Sequence, residues 1–132
     1  FKIQVPQTLN ADDIEAAIKQ ALIDWNQEKV YSDILNFGQF YSQKLNIQPK
    51  SIKLSQQKRA WGTCSSKGSI RINWRLADAP LSVLEYVVAH ELTHLLHHNH
   101  SKDFWQALGN IMPDYKQRKA DLKSWEMELS PL

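Results

Sequence analysis

The sequence lacks the features that mark several specialised classes of protein. It contains a single cysteine, Cys64, which excludes an internal disulfide and favours a reducing compartment, so we expect a cytoplasmic protein. No apolar run approaches the roughly 20 residues that span a bilayer, and no signal-peptide pattern is present, so we expect no membrane association. The net charge is only +2, from 16 basic and 14 acidic residues, and composition therefore does not by itself predict nucleic-acid binding.

The composition that remains is that of an ordinary globular domain. Apolar residues make up 42% of the 132 residues and charged residues 23%, which are usual values for a soluble protein. A chain of this length can bury a core without disulfide bonds, so we expect residues 1–132 to form a single domain. The sequence begins with Phe1 rather than methionine, and we expect an upstream segment to have been cleaved or left out.

The most informative stretch is the five-residue run HELTH at positions 90–94. His90 and His94 are four residues apart, so on a helix both imidazoles project from one face and can reach one ion. Glu91 lies about 100° further round the helix than His90, beside the ion but not bound to it. This is the H-E-x-x-H pattern of zinc hydrolases, in which the glutamate takes the proton of the water that the metal activates.

The pattern requires a helix, and residues 81–98 predict one. Pro80 ends the preceding segment, and Ser82 with Glu85 three residues later forms a capping-box pattern. Apolar residues then recur at helical spacing and cover most of the helix circumference, which indicates a buried helix. Because buried polar groups are costly without partners, two histidines and a glutamate on such a helix favour a metal site over a solvated surface.

Three further histidines compete for the place of third ligand. His97 is two helical turns from His90, about 10 Å along the axis at 1.5 Å per residue, and His98 is no closer. His100 follows Asn99, a residue that tolerates the left-handed conformation with which helices end. If the helix ends there, the chain can turn back and bring His100 to the ion. We therefore expect His100 to be the third ligand, with His97 and His98 supporting the site or facing solvent.

The remaining segments predict an α+β domain in which about five helices pack with a small antiparallel sheet. A hairpin turn is expected at 65–68, and the last strand is expected to run on through 73–75. Asn10, Ser32, Ser101 and Asp114 are candidate helix caps. Strands are expected at 1–5, 51–54, 62–64 and 69–72, and helices at 11–29, 33–45, 81–98, 102–112 and 115–128.

The segment from 49 to 75 is the most basic and aromatic part of the chain. Its residues suit either a solvated sheet face with two core tryptophans or a surface that holds a peptide, a phosphate or a nucleic-acid strand. Cys64 is expected to be a small strand residue rather than a nucleophile or ligand. The candidate substrate contacts are Trp61, Arg71, Arg75 and Tyr86, and the candidates for a second electrophile are Tyr86, Arg75 and Tyr115.

Several sequence blocks together resemble one known family. The blocks fall in that family's order and spacing, cover about residues 50–120, and are far more specific than the H-E-x-x-H pattern alone. They are WGTCSSKG at 61–68, NWRL at 73–76, YVVAHELTHL at 86–95, NHS at 99–101, FW at 104–105 and PDY at 113–115. On these blocks the sequence closely resembles the YgjP-like metallopeptidase family. It departs from that family at Ala60, commonly arginine, and at Thr63, commonly serine.

The resemblance implies a zincin-type fold and one zinc ion per chain, held by His90, His94 and His100. It also implies that Glu91 is the catalytic acid and base, that the substrate is a peptide or protein, and that the chain is related to SprT-like proteases, which act on proteins attached to DNA. Nucleic-acid association through the basic sheet region is therefore a possible accompanying property.

Two other functions stay open at this point. The resemblance also implies a second function, hydrolysis of nucleoside triphosphates as by a UTP pyrophosphatase. Such an enzyme would be expected to use magnesium, whereas three histidines favour zinc. The other alternative is a nucleic-acid-associated module with a structural zinc, which would need a fourth protein ligand such as Cys64 or His98.

Overall fold

The computed structural model describes residues 10–129 and shows an α+β arrangement in that range, as the sequence predicts. It contains four α-helices, one 3₁₀-helix and one sheet of three strands. In chain order these are α1 (Ala11–Leu45), β1 (Ser51–Ser55), β2 (Gly62–Cys64), β3 (Ser69–Asn73), the 3₁₀-helix (Trp74–Asp78), α2 (Leu81–Thr93), α3 (Lys102–Ile111) and α4 (Tyr115–Glu128). The strand expected at 1–5 lies outside the described residues.

The first helix is one continuous element, so the prediction of two helices at 11–29 and 33–45 is wrong. Val30 and Ile34 are buried on the core side of the supposed break, and no glycine or proline interrupts the chain there. The predicted ends are confirmed: the Asn10 side chain accepts from the N–H of Asp13 at 2.9 Å, and Asn46 adopts a left-handed conformation at φ 55°, which closes the helix. Within residues 10–129 no helix is long and apolar enough to cross a membrane.

The sheet is mixed rather than antiparallel, which corrects the sequence prediction. Its strand order is β1-β3-β2, with β3 antiparallel to β2 and parallel to β1. The predicted hairpin between β2 and β3 is present, and Gly68 takes φ 91° in its turn, a conformation that favours glycine. The sequence pattern marks strands but does not show that the chain after β1 crosses to the far edge of the sheet before returning to its centre.

The third strand ends earlier than the sequence suggests. Asn73 is 1% exposed, and its side chain binds backbone on both sides: Oδ1 accepts from the N–H of Arg75, and Nδ2 donates to the carbonyl oxygens of Gln57 and Ala60. These bonds turn the chain into the 3₁₀-helix at 74–78, so the expected continuation of β3 is confirmed at Asn73 and wrong at 74–75.

The central helix is buried on almost its whole circumference, as its sequence predicts. Nine of its 13 residues are buried, and its neighbours include α1, α3, α4, β2 and β3. Its start at Leu81 is as predicted, but the expected Ser82 cap is wrong, because Ser82 lies inside the helix and the residue at the cap position is Pro80. The Pro80 carbonyl accepts from the N–H groups of Val83 and Leu84, and the Glu85 side chain bonds to Tyr41 and Arg118.

The last two helices are confirmed within a residue or two. Ser101 caps α3, since its Oγ accepts from the N–H of Phe104 at 3.4 Å. Asp114 precedes α4 but makes no capping hydrogen bond to the backbone. Its carboxylate instead accepts from Arg118 Nε at 3.0 Å.

A polar network ties three helices together on the side of α2 away from the histidines. Glu85 of α2 accepts from the hydroxyl of Tyr41 on α1 and from Arg118 Nη1 on α4 at 2.8 Å. Arg118 Nη1 also donates to the Ser82 carbonyl at 3.2 Å. Burial and the bond to Glu85 both raise the pKa of Tyr41, which keeps its hydroxyl a donor.

Replacing Arg118 by methionine should destabilise the fold. The change leaves the carboxylate of Glu85, whose side chain is 22% exposed, without its charged donor, so we expect the free energy of unfolding to fall by about 1–3 kcal/mol. Urea unfolding followed by circular dichroism measures this. The control is Arg59→Met, on an exposed arginine, which should change stability by less than about 0.5 kcal/mol. Equal effects of the two substitutions would contradict the structural role of the network.

Candidate metal centre

Three imidazoles converge at the C-terminal end of α2. His100 Nε2 lies 3.1 Å from His90 Nε2 and 3.1 Å from His94 Nε2. The three nitrogen atoms all lie within 4.8 Å of one another. The structure therefore brings together the three histidines that the sequence analysis named as ligands.

The chain reaches this arrangement by ending α2 earlier than predicted. The helix stops at Thr93 rather than at 98, and His94 is its C-cap residue. The N–H groups of Leu95 and Leu96 then bond three residues back, which tightens the last turn. Asn99 is not left-handed, since Asn46 is the one non-glycine residue with positive φ in residues 10–129. His100 thus returns to the helix through a turn at 94–97 rather than through a left-handed Asn99.

Two of the imidazoles are oriented by hydrogen bonds at their other nitrogen. His94 Nδ1 lies 3.1 Å from the His97 carbonyl and His90 Nδ1 lies 3.3 Å from the Tyr86 hydroxyl. We assign the proton of each ring to Nδ1, because a carbonyl oxygen can only accept and the Nε2 atoms face one another. The His97 side chain itself is outside the cluster, and His98 is exposed.

The electrostatics of the cluster fit a cation. Burial, then the neighbouring His94, His100 and Lys119, lower the pKa of His90 to about 3, and burial lowers the pKa of His94. Both rings are therefore neutral, with Nε2 lone pairs directed at a common point. Lone pairs 3.1 Å apart repel unless a cation lies between them, and the spacing suits an ion held at about 2.0–2.1 Å from each nitrogen.

Aromatic rings from α3 cover the histidines. The Phe104 ring is fully buried and lies 4.5 to 5.0 Å, centroid to centroid, from all three imidazoles. The Trp105 ring stacks on His100 at 5.6 Å and 22°. These contacts fix the ring orientations and exclude water from one side of the cluster.

Glu91 lies on the sheet side of α2, one residue after the first histidine. It is 8% exposed, and burial raises the pKa of its carboxyl to about 7. A Cβ atom added to Gly62 of β2 would lie 2.8 Å from Glu91 Cγ and 3.0 Å from its Oε2. The glycine therefore allows the strand to pass directly against the carboxylate, a role that the sequence pattern did not reveal.

A cavity of about 270 Å³ opens beside His90 and Glu91. Its other walls come from the segment before β2, from α2 and from α4. They are formed by Ala60, Trp61, Gly62, Tyr86, Val87, Lys119 and Leu122. The cavity joins the carboxylate, one imidazole and one lysine in a mostly apolar setting.

Two of the four candidate substrate contacts line this cavity and two do not. Trp61 and Tyr86 line the cavity. Arg71 is exposed on β3 between the buried Ile70 and Ile72, so it lies on the face of the sheet opposite the core. Arg75 lies in the 3₁₀-helix and does not line the cavity.

Tyr115 and Cys64, two other residues considered in the sequence analysis, lie near the site but outside the cavity wall. Tyr115 stacks on Trp105 at 5.5 Å and 18°, so it supports the aromatic layer. Cys64 is a partly buried residue of β2, and burial, then the nearby Glu91, raise the pKa of its thiol. Lys119 was not singled out in the sequence, because nothing in its local pattern distinguishes it from the other lysines of α4.

The fold and the histidine cluster fit a metallopeptidase domain. The family model described as "YgjP-like, metallopeptidase domain" matches residues 2–125. The chain therefore belongs to the YgjP-like metallopeptidase domain family, as the sequence blocks indicated, and the family implies a bound metal.

Individual proteins that the chain is similar to include a curated relative and solved structures of two metallopeptidase zymogens. The UTP pyrophosphatase of Escherichia coli (strain K12) is 29% identical over 92 residues, which are 68% of this chain and 55% of that protein. The chain thus spans little more than half the length of this relative.

Among solved structures, the metallopeptidase zymogen abylysin of Pyrococcus abyssi matches with a TM-score of 0.64 and 18% identity, over 75% of this chain and 99% of that chain. The zymogen jannalysin of Methanocaldococcus jannaschii matches with a TM-score of 0.61 and 22% identity, over 74% and 91%. At these identities the two structures show a shared fold.

The raised pKa of Glu91 predicts a pH-dependent penalty in the metal-free protein. Between pH 4.5 and about 7 the folded state holds a proton that the unfolded state has lost, so stability falls as pH rises through this window. At 1.36 kcal/mol per pKa unit, the full penalty is about 3 kcal/mol. Glu91→Gln should therefore be more stable than the native protein by about this amount at pH 8, and by much less at pH 4.5.

Urea unfolding with a chelator present, at both pH values, measures this difference. The titration of His90 is common to both proteins and largely cancels in the comparison. Glu128→Gln, on an exposed carboxylate of α4, is the control and should show no such pH dependence. A Glu91→Gln effect that is the same at both pH values would contradict the assignment.

Proposed function

We propose that this chain is a zinc-dependent metallopeptidase in which His90, His94 and His100 hold the metal and Glu91 is the general base and acid. The observation that carries the proposal is the convergence of three Nε2 atoms beside a buried carboxylate. Membership of the family supports peptide or protein substrates. The single cysteine fits a reducing compartment such as the cytoplasm.

The donor set favours zinc over the hard cations. Three neutral imidazoles are good ligands for zinc, whereas magnesium and calcium prefer oxygen. When bound, zinc would lower the pKa of a coordinated water toward 7 and polarise the carbonyl of the scissile bond. Three protein ligands also leave one position open for water or substrate, which is typical of catalytic rather than structural sites.

Glu91 has the properties that a general base at neutral pH requires. Its carboxyl has a pKa of about 7 in the metal-free protein because it is buried, and general bases act best when their pKa lies near the working pH. It would take a proton from the attacking water and deliver it to the leaving amine. The adjacent Gly62 keeps the approach to this carboxylate free of side-chain atoms.

The strand beside Glu91 offers a place for the substrate backbone. Among the described residues β2 pairs with β3 alone, so its other edge is free to pair with an extended peptide. Tyr86 is engaged with His90 Nδ1, and burial, then Glu91, raise the pKa of its hydroxyl to about 12. We therefore assign Tyr86 the role of orienting His90 rather than that of the electrophile.

A purely structural zinc site is disfavoured by the surroundings of the cluster. In residues 10–129 the group that can share one ion consists of His90, His94 and His100. Neither Cys64 nor His98 joins it. A closed structural site needs a fourth protein ligand, and a buried glutamate beside the cluster would have no purpose there.

Metal analysis tests the ligand assignment. We expect the purified protein to bind one zinc ion per chain, and His90→Ala, His94→Ala or His100→Ala to weaken zinc binding at least tenfold in competition with a chelator. His98→Ala is the matched control, because His98 is exposed and outside the cluster. A His100→Ala protein with native zinc affinity would remove this residue from the ligand set.

Hydrolysis of fluorescently labelled casein tests the catalytic assignment. Glu91→Gln should keep its zinc and lose activity by about 10²–10⁴-fold, the usual contribution of a general base. Full activity of the variant would refute the role given to Glu91.

The second candidate function is hydrolysis of UTP, and the observation that favours it is the similarity to UTP pyrophosphatase. Incubation of the zinc-loaded and magnesium-supplemented protein with UTP, followed by assay of released pyrophosphate, distinguishes the two. We expect no turnover above that of Glu91→Gln. Turnover of UTP that requires Glu91, without casein hydrolysis, would reverse the order of the two candidates.

A further inference from the structure

The two adjacent basic residues of α4 are used in opposite ways. Arg118 is fully engaged by Asp114, Glu85 and the Ser82 carbonyl. Lys119 has no ion pair or hydrogen bond within residues 10–129, and its one close partner is the face of Trp105, with Nζ 4.5 Å from the ring centroid. The ammonium of Lys119 is thus positioned by an aromatic ring but not neutralised.

This unneutralised charge lies at the wall of the catalytic cavity. Lys119 lines the cavity together with His90 and Glu91. The Trp105 ring beneath the ammonium lies 5.9 Å from the His90 ring and 5.6 Å from the His100 ring, centroid to centroid. An extended peptide residue spans about 3.3–3.6 Å. The distance from the ammonium to the His90 and His100 rings therefore corresponds to about three residues of an extended substrate.

The other walls of the cavity are mainly apolar, which favours Lys119 as the group that binds an anionic part of a substrate. Ala60, Trp61, Val87 and Leu122 present mainly apolar surface, so they offer a substrate carboxylate few polar partners. Lys119 is itself exposed, and its ammonium is the cationic group that a carboxylate entering the cavity would meet. Within residues 10–129 no ion pair or hydrogen bond joins Glu91 to Lys119, although both line the cavity.

From this geometry we infer that Lys119 is the specificity residue of the cavity and binds a carboxylate of the substrate within three residues of the scissile bond. The inference rests on the proposed peptidase function. The carboxylate can come from a glutamate or aspartate side chain or from the free C-terminus of a peptide. Both sources offer the same group to the ammonium, and the substrates chosen below separate them.

A structural role is the alternative to be tested. An ammonium over the face of a tryptophan stabilises a protein to a small extent, and Lys119 would then matter only for the position of the partly buried Trp105. A structural role changes the hydrolysis of neutral and acidic peptides in parallel. A recognition role changes the ratio between them.

The experiment uses six-residue peptides of alanine and phenylalanine in matched pairs. One series is blocked at both ends and carries a single glutamate or glutamine at successive positions. The other carries a free C-terminal carboxylate or the corresponding amide. The kcat/KM of each pair is measured for the zinc-loaded native protein, Lys119→Met, Lys119→Arg and Lys123→Met. Lys123 is an exposed lysine of the same helix that does not line the cavity.

We expect the native protein to favour the carboxylate member of at least one pair by tenfold or more. Lys119→Met should reduce this ratio to about one, whereas Lys119→Arg and Lys123→Met should preserve it. A native protein without such a ratio, or a ratio unchanged by Lys119→Met, would overturn the inference. A parallel loss on all peptides would also overturn it in favour of the structural role.

Binding to an inactive form separates this inference from the proposed function. Isothermal titration calorimetry of the same pairs is carried out with zinc-loaded Glu91→Gln and with Glu91→Gln/Lys119→Met. If no peptide is hydrolysed by the native protein, a tenfold preference in Kd for the carboxylate member that Lys119→Met abolishes still supports the inference. Equal binding of both members would overturn it, even if the peptides are hydrolysed.

Discussion

The convergence of three imidazoles on one point is the constraint on which the surrounding structure depends. Nitrogen lone pairs 3.1 Å apart are unfavourable without a cation, so the chain must hold them in place through other contacts. The Tyr86 hydroxyl and the His97 carbonyl fix two of the rings at Nδ1. Phe104 packs against all three. These contacts restrict the rotamers of the three imidazoles, which reduces the entropy that the side chains lose when they hold a metal.

The same burial that organises the cluster also prepares the chemistry beside it. A helix buried on nearly all sides must carry two imidazoles and a carboxylate into the core, and each responds by favouring its neutral form. For His90 this leaves a lone pair available to the metal. For Glu91 it raises the pKa to about 7, where one carboxyl can both accept and donate a proton near neutral pH. The proposed ligand His90 and the proposed base Glu91 thus obtain their properties from one cause, which is burial.

The sequence predicted the grouping of the three histidines better than the order and direction of the strands, because the two depend on contacts of different range. Local patterns identify the H-E-x-x-H run and the caps at Asn10 and Ser101, since their partners lie within four residues. His100 could be proposed because a chain leaving a helix can turn back within six residues, although the turn differs from the one expected. The position of β1 beside β3 could not be predicted, because parallel pairing depends on how the connection crosses the sheet.

Lys119 shows why substrate recognition was the least predictable part. In sequence it is one of several similar lysines on a helix with no buried residue. Its position is set by contacts made elsewhere on α4: Arg118 bonds to Glu85, 33 residues away in sequence, and the Trp61 indole donates to Glu126, 65 residues away, at 2.5 Å. These two contacts lie on either side of Lys119 and Leu122 along the helix. The helix also packs against the core through Tyr115, Leu122 and Trp125. Lys119 itself is exposed, so we expect this position to vary in sequence without disturbing the histidines. The metal site and the recognition wall are thus separable in this domain, one built on the buried helix and the other on the exposed one.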